Sequence, residues 1–326
     1  MISAANDGCH RFRVPRLFAL AMLAVVPAGV RAANNVVVPK LAGNLVAWYD
    51  FDHPEANNAA RERDRGLSGT PLWLVNGAAG MRIADAAYTG AGRSVQTRQL
   101  NPEAAGNDDW KAGVFDADGV ASLAAFAAVE GITLMGWIKP TGTGAGLDST
   151  TPEPGDRYGA IGLFGLLSGT SEGHLVRALI EVITISDELR LVALGRRVDE
   201  GESLLLAADG RWEEILPAGE WTHIAATFDY DSGTMALYRN GEALPAAYTD
   251  GNDRWAVAGE PEPDVSSSTL PTGIKIGGSY PQNTQERNPF DGRFDDLMFF
   301  DRALTAEEVR LQFRRFGNGT TDAQLR

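Results

Sequence analysis

Short apolar runs recur along most of the chain, and Gly, Asp, Asn or Pro separates them. Eleven such segments are rich in β-branched and aromatic residues: 45–51, 93–97, 132–138, 160–167, 176–184, 189–194, 203–207, 222–229, 235–239, 273–276 and 294–299. This composition is typical of β-strands. In segment 222–229, alternate residues such as Ile224, Ala226 and Phe228 share one face. The pattern predicts an all-β protein, an antiparallel β-sandwich in which one face of each strand packs in the core.

Turn residues and one helical segment add detail to this prediction. Asn240-Gly241 is typical of a hairpin turn, because both central positions of a type I′ turn need positive φ. Near the C-terminus, Thr305 and Glu308 have the spacing of a capping box and predict a short helix. Val309, Phe313 and Phe316 should then pack that helix on the sandwich. The alanine-rich segment 121–128 is compatible with a second helix, and segments 141–156 and 250–271 are predicted to be long loop insertions.

The N-terminus has the order of a secretory signal. Three arginines precede the apolar run 17–26, and Val30-Arg31-Ala32 supplies the small residues of a cleavage site. A membrane anchor is the alternative, but ten apolar residues make only about 15 Å of helix against a hydrocarbon core of ~30 Å. We therefore predict a signal peptide at 1–32 and one domain at 33–326, with its core at about 41–317. The protein is expected to be exported, to an extracellular or periplasmic location, with no membrane span.

Charge and cysteine content narrow the class of partner. The net charge is −14, and removal of residues 1–32 would make it −17. This balance argues against nucleic acid, which is bound by basic patches. The only cysteine, Cys9, lies in the predicted signal peptide. A domain of this length can bury a sufficient core without disulfides.

Four motifs in order resemble the laminin-G-like, concanavalin A-like lectin/glucanase jelly-roll family. The first is Leu-Val-Ala-Trp-Tyr-Asp-Phe-Asp at 45–52, and the second is Ile-Thr-Leu-Met-Gly-Trp-Ile-Lys-Pro at 132–140. The third is Trp-Thr-His-Ile-Ala at 221–225 with Leu-Tyr-Arg-Asn-Gly at 237–241. The fourth is Gly-Arg-Phe-Asp-Asp-Leu at 292–297 with Arg-Ala-Leu-Thr-Ala-Glu-Glu at 302–308. The resemblance implies a jelly-roll sandwich. This sequence departs from the family's motifs at two places. Asn240 stands where the family more commonly has Asp, and Asp295-Asp296 stands where the family has Asp-Glu.

The resemblance also implies a structural calcium ion where the opening strand meets the closing strand. In this chain the ligands would be Asp50, Asp52, Asp295 and Asp296, since Ca²⁺ prefers several oxygen ligands. Strand alternation places Asp295 and Asp296 on opposite faces, so only one of the two is expected in a given pocket. The alternative is that these carboxylates only cover the surface and the turns.

Aromatic residues in loops are the candidates for sugar binding. Trp48, Trp137 and Trp221 fall in motif strands and are expected in the core, whereas Trp110 and Trp255 fall in loop contexts. We predict Trp110 and Trp255 as platforms, the alternative being that each packs its loop onto the sandwich.

The sequence offers little that indicates catalysis or zinc. His53, His174 and His223 lack ligand spacing. Gly169-Thr170-Ser171-Glu172-Gly173 matches Gly-x-Ser-x-Gly, a motif that has meaning on a strand-to-helix elbow of an α/β fold. The Glu-x-Asp-x-x-Glu pattern of glucanases is missing from the sequence, although loop carboxylates leave other pairs open.

Together these observations predict an exported recognition module that binds a glycan or polysaccharide, with calcium as a structural cofactor. Two alternatives stay open. The first is an adhesion or structural domain that binds a cell-surface or matrix protein. The second is a polysaccharide hydrolase or lyase on the same fold, because fold alone does not decide function.

Overall fold

The computed structural model describes residues 36–88, 92–98, 109–142, 161–168, 176–196, 203–249, 270–278 and 288–318. The predicted signal peptide, Trp255, His174, the Gly-x-Ser-x-Gly segment and most of the two predicted loop insertions lie outside these residues. Within them the strands are β1 Leu45–Tyr49, β2 Pro54–Glu55, β3 Asn58–Glu62, β4 Leu72–Val75, β5 Arg82–Ile83, β6 Ser94–Thr97, β7 Lys111–Phe115, β8 Gly131–Pro140, β9 Ile161–Leu167, β10 Val176–Ile185, β11 Glu188–Arg196, β12 Ser203–Ala208, β13 Thr222–Asp229, β14 Thr234–Arg239, β15 Glu242–Ala243, β16 Ala246–Tyr248, β17 Gly273–Ile276, β18 Asn288–Pro289 and β19 Gly292–Phe300.

The helices are short or lie at the C-terminal end of the described chain. They are α1 Trp212–Ile215, α2 Ala306–Asn318 and three 3-10 helices at Pro39–Asn44, Ala78–Met81 and Ala121–Phe126. The capping box of α2 is confirmed, since the Thr305 backbone N–H donates to Glu308 Oε2 at 3.1 Å and the Glu308 N–H donates to Thr305 Oγ1 at 3.3 Å. The alanine-rich segment forms a 3-10 rather than an α-helix.

The strands form two sheets, and the predicted antiparallel β-sandwich of the jelly-roll class is confirmed. Sheet I has the order β15-β14-β13-β8-β19-β6-β5, with β1 also paired to β19. Sheet II has the order β16-β12-β11-β10-β9-β17-β7-β4-β3-β2, with β18 paired to β9. The described pairs are antiparallel except β18 with β9. Asn240 and Gly241 both have positive φ, of 50° and 80°, as the predicted β14–β15 hairpin requires.

The main core lies between the two sheets. Phe164 of sheet II meets Phe294 and Phe299 of sheet I edge-on, at ring-centroid distances of 6.2 and 6.1 Å. All three side chains are fully buried, and each contributes about 2–3 kcal/mol by leaving water.

A second apolar cluster covers the outer face of sheet I, which is the face turned away from sheet II. Val309 and Phe316 of α2 are buried there with Trp48 and Trp137. The prediction that the C-terminal helix packs on the sandwich is confirmed. Because Phe313 and Phe316 of α2 cover β13 and Trp137, β13 is buried on both of its faces. Trp48 belongs to the same outer cluster, so neither Trp48 nor Trp137 lies between the sheets.

Candidate functional site

A β-bulge in the closing strand places Asp295 and Asp296 on the same face of sheet I. The register against β8 shifts between Asp295 and Met298, and Asp296 has φ +46°. Phe294 and Leu297, which flank the pair, both pack in the core between the sheets, so both aspartates are left on the outer face. The expectation that they point to opposite faces is therefore wrong, because the inserted residue interrupts the two-residue alternation.

Gly136 on β8 makes room for this bulge. A Cβ at Gly136 would contact the Leu297 side chain and lie 3.1 Å from Leu297 Cα and 3.3 Å from the Asp296 carbonyl oxygen. We expect Gly136→Ala to lower the free energy of unfolding by about 1–3 kcal/mol, as overpacking does. Urea denaturation would measure the loss, with Gly43→Ala as control, because a Cβ at Gly43 meets nothing within 4 Å. Equal stability of the two variants would contradict this account of the bulge.

Asp295 and Asp296 are both buried and accept hydrogen bonds from neutral donors. The exposed fraction is 2% for Asp295 and 3% for Asp296. Asp295 accepts from the backbone N–H of Ala87 at 2.8 Å and of Asp296 at 2.9 Å. Asp296 accepts from Trp48 Nε1 at 2.7 Å and from the Tyr88 hydroxyl. In the part of the chain that the structure describes, no lysine, arginine or histidine pairs with Asp295.

The two aspartates that follow the opening strand differ in exposure. Asp50 is buried, contacts His53 Nδ1 at 2.8 Å and accepts a hydrogen bond from Arg65. Asp52 is exposed and accepts from the backbone N–H of Arg93 at 2.7 Å. The four-aspartate set of Asp50, Asp52, Asp295 and Asp296 thus has three buried members and one at the surface.

The charges within the set raise the pKa values of three members, Asp295, Asp296 and Asp52. Burial raises the pKa of Asp296 to about 7, and the charge of Asp50 adds to this effect. Burial raises the pKa of Asp295 well above its ordinary value, and the charges of Asp296, Asp52 and Asp50 raise it further. The pKa of Asp52 is also raised, first by the partial desolvation of its carboxylate and then by the charge of Asp50. The structure therefore places the four predicted residues within range of one another's charges, although the described ligand atoms that lie within 4.8 Å of one another as a group belong to Asp50, His53 and Glu62. The role of the four aspartates as ligands stays a prediction.

The chemistry of the four-aspartate set fits a hard divalent cation. Buried carboxylates are costly unless a cation, a proton or a metal ion compensates them. Asp295 has no cationic partner among the described residues, and the set offers only oxygen donors. Calcium takes such donors, whereas zinc prefers nitrogen and sulfur.

A neighbouring group of possible ligands already has its counter-charges. One ligand atom each from Asp50, His53 and Glu62 lies within 4.8 Å of the others. Arg82 donates to Glu62 Oε2 at 2.6 Å in a buried ion pair, and Arg65 pairs with Asp50. Burial raises the pKa of Glu62 to about 7 although Arg82 opposes the shift. The sequence analysis missed Glu62, since nothing in strand 58–62 distinguishes it from a surface residue.

The candidate tryptophans lie in different settings. Trp110 is half-buried and packs against the main core, with the Arg98 guanidinium 4.9 Å from its ring centroid. Trp73 on β4 is 42% exposed, and Arg61 lies over its ring at 4.8 Å. Trp73 is thus a more accessible aromatic surface than Trp110. Trp255 lies outside the described residues.

A polar row crosses the outer face of sheet I beyond the aromatic cluster. In the sheet Gln96 pairs with Arg293, and Arg293 pairs with Lys139. Trp221 precedes β13 beside Lys139, whose ammonium lies 5.7 Å from the Trp221 ring centroid. Asp85 lies against the row and accepts from Lys139 Nζ at 2.9 Å, from Arg293 and from Trp221 Nε1 at 3.4 Å. The ion pairs hold the pKa of Asp85 below its ordinary value despite desolvation.

The polar row could not be predicted from the sequence, because its members come from three strands, β6, β8 and β19, and from the segment before β13, all of which are distant in sequence. The one available signal was the lysine of the Trp-Ile-Lys-Pro motif, which is Lys139. The segment 85–88 connects the row to the four-aspartate set. Asp85 contacts the row, whereas Ala87 and Tyr88 donate to Asp295 and Asp296.

Comparison with known proteins agrees with this architecture. Residues 197–310 match the family described as "Concanavalin A-like lectin/glucanases superfamily". The predicted family resemblance is confirmed. The match includes the Trp-Thr-His-Ile-Ala strand, the Asn-Gly hairpin and both closing-strand aspartates. Among curated proteins, none matches the chain in sequence.

Solved structures with a similar arrangement include three kinds of protein. The binding domain of botulinum neurotoxin serotype D is 12% identical, with a TM-score of 0.49, and the alignment covers 85% of this chain and 52% of that one. A Trypanosoma rangeli sialidase is 15% identical, with a TM-score of 0.47 and coverages of 86% and 35%. A SAP-like pentraxin from Limulus polyphemus is 18% identical, with a TM-score of 0.35 and coverages of 57% and 70%. The chain thus spans about half the length of the neurotoxin domain.

Within the described residues, the structure has no helix with the length and apolar character needed to cross a membrane.

Proposed function

We propose that this chain is an exported recognition module that binds a glycan and uses a calcium ion to order its binding surface. The observation that carries the proposal is the four-aspartate set. Asp295 is buried without a cationic partner among the described residues, and it lies beside Asp296, Asp50 and the exposed Asp52. The basic and apolar pattern of residues 1–32 supports export to an extracellular or periplasmic location.

The calcium ion would be held by Asp50, Asp52, Asp295 and Asp296, and it would supply the positive charge that the buried Asp295 lacks among the described residues. The protein's own part is to hold the segment 85–88 against them. The Ala87 N–H and the Tyr88 hydroxyl fix one end of that segment to Asp295 and Asp296. Tyr88 also packs on Phe316 of α2, at a ring-centroid distance of 5.1 Å.

The polar row supplies groups that suit a sugar. Sugars are recognised by convergent hydrogen-bonding groups beside an apolar or aromatic surface. The row offers the donors of Lys139 and Arg293, the carboxylate of Asp85 and the half-buried ring of Trp221. Because the segment 85–88 contacts both the row and the aspartates, loss of calcium is expected to loosen the row.

A glycan and polysaccharide panel, probed with the purified exported protein in calcium and again in chelator, tests the proposal. We expect saturable binding in calcium that is lost in chelator. Asp52→Asn should weaken glycan binding in calcium, because it removes the charge of one proposed calcium ligand. Asp52 is exposed and its amide oxygen can still accept from the Arg93 N–H, so the fold should be unchanged. Asp118→Asn is the matched control, since Asp118 is an exposed aspartate on the turn after β7.

Absence of glycan binding in both conditions would overturn the glycan part of the proposal, and binding to a cell-surface or matrix protein would then be the function to test. Glycan binding that is equal in calcium and chelator would overturn the calcium part alone.

A further inference from the structure

The polar row has more hydrogen-bond donors than the protein itself satisfies. Arg293 donates from Nε to Gln96 Oε1 at 3.0 Å and from Nη1 to Asp85, and no described residue accepts from its Nη2. Lys139 Nζ donates to Asp85 alone among the described residues. Its remaining protons and Arg293 Nη2 can therefore serve an added acceptor.

The row also presents two cationic side chains that converge on one carboxylate. Two cations, Lys139 and Arg293, share the single carboxylate of Asp85. The other nearby carboxylate, Asp291, accepts from the Gln96 amide and the Thr141 hydroxyl. The donors that this cationic pair leaves unsatisfied favour an anionic group at this position.

The row is accessible to a solute. The side chains of Lys139, Arg293 and Asp85 are 20%, 24% and 27% exposed, so they are neither buried nor freely mobile in solvent. Their positions are fixed by strand pairing and by Asp85, which lowers the entropy that a ligand must overcome to order them. Beside them the Trp221 ring offers an apolar surface of the kind on which a sugar ring packs.

We propose that the polar row binds the carboxylate of an acidic sugar, with Arg293 and Lys139 as donors and Trp221 as the surface for the sugar ring. This inference rests on the proposed glycan recognition and does not depend on calcium as a ligand of the sugar. Arginine suits it, because a guanidinium recognises a carboxylate through charge-assisted hydrogen bonds.

The test uses two probes, oligogalacturonate and its methyl ester, which differ in charge and by one methyl group on each sugar, titrated by calorimetry into the full exported protein. The titrations are run in chelator and again in calcium, because calcium could bridge the acidic probe to the protein. Binding that persists in chelator is direct. We expect the acid to bind at least about tenfold more tightly than the ester, since a hydrogen bond to a charged group contributes more than one to a neutral group. The difference should shrink as salt is added.

Substitutions in the polar row test whether the acidic sugar binds there. Arg293→Gln and Lys139→Gln should each weaken the acid by about tenfold or more and leave the ester nearly unchanged. Lys139→Arg keeps the positive charge, so it should bind the acid more tightly than Lys139→Gln does. Asp85→Asn should tighten binding of the acid, because it removes a like charge while its amide oxygen can still accept from Lys139 and Arg293. A row with a purely structural role would not respond in this way. Thermal unfolding of each variant checks that it is folded.

The outcomes separate this inference from the proposed function. Equal binding of acid and ester would overturn the acidic-sugar class while glycan recognition stands. Binding of the acid that Arg293→Gln and Lys139→Gln leave unchanged would overturn the location. Failure of every glycan, neutral or acidic, would overturn both proposals.

Discussion

Calcium should raise the free energy of unfolding of the metal-free protein by about 2.7 kcal/mol at a free concentration one hundred times its dissociation constant. The reason is the four-aspartate set, in which burial and the charges of neighbouring carboxylates raise the pKa values of Asp295, Asp296 and Asp52. Denaturant unfolding at pH 7.5, in chelator and in calcium, measures the increment. Asp52→Asn should reduce it and Asp118→Asn should not. Identical unfolding midpoints of the unmodified protein in both conditions would show that the set holds no calcium.

The pH dependence of the metal-free protein gives an independent check. The pKa of Asp296 is about 7 in the folded protein, above its ordinary value, so the folded state binds more protons than the unfolded chain between about pH 4 and 7. The contribution of this group to stability therefore falls as pH rises through that window. Calcium would take the place of the protons bound to Asp296. The loss of stability between about pH 4 and 7 should therefore be smaller in calcium than in chelator.

Much of the fold could be predicted from the sequence because each strand carries its own local pattern. All eleven predicted segments are strands, and β13 and β17 have the predicted ends, Thr222–Asp229 and Gly273–Ile276. Apart from the apolar β4, Leu72–Val75, the strands that were not predicted are short or carry polar or small residues. One example is β3, Asn58–Glu62, in which no apolar residue is larger than alanine. Such strands are specified by their neighbours in the sheet and leave little trace in the local sequence.

The site was less predictable than the fold. The residues of the four-aspartate set were predicted from family motifs, but the arrangement of Asp295 and Asp296 was not, because it depends on a bulge that side-chain alternation cannot indicate. Its only local trace is Gly136 on the adjacent strand, where a Cβ would meet Leu297. The polar row is assembled by strand order in sheet I, which no single segment contains.

His223 should make the protein sensitive to mild acid, by about 2 kcal/mol at pH 5. The ring is fully buried against Trp137, Phe313 and Phe316, at centroid distances of 5.4 to 5.6 Å. Neither ring nitrogen has a hydrogen-bond partner among the described residues. Burial lowers the pKa of His223 to about 3, below its value of about 6.5 in an unfolded chain.

The sign of the effect follows from proton binding. Below about pH 6.5 the unfolded chain protonates this histidine while the folded protein does not, so stability is complete above that pH and is lost as pH falls toward 3. At pH 5 the difference is about 1.5 pH units, and each unit corresponds to about 1.4 kcal/mol. Removal of the imidazole should abolish this loss.

His223→Phe tests the prediction, since phenylalanine keeps an aromatic ring among Trp137, Phe313 and Phe316 and cannot be protonated. The variant should gain stability relative to the parent protein as pH falls from 7 to 5, with both measured by denaturant unfolding in chelator. Above pH 7 the difference between the two should be constant, which separates any packing cost of the new ring from titration. Other titrating groups, including Asp296, Glu62 and Glu308, are common to both proteins and cancel in the comparison. Parallel pH profiles from 7 to 5 would mean that the folded protein also protonates His223, and that the cover provided by α2 opens readily enough to admit a charged ring.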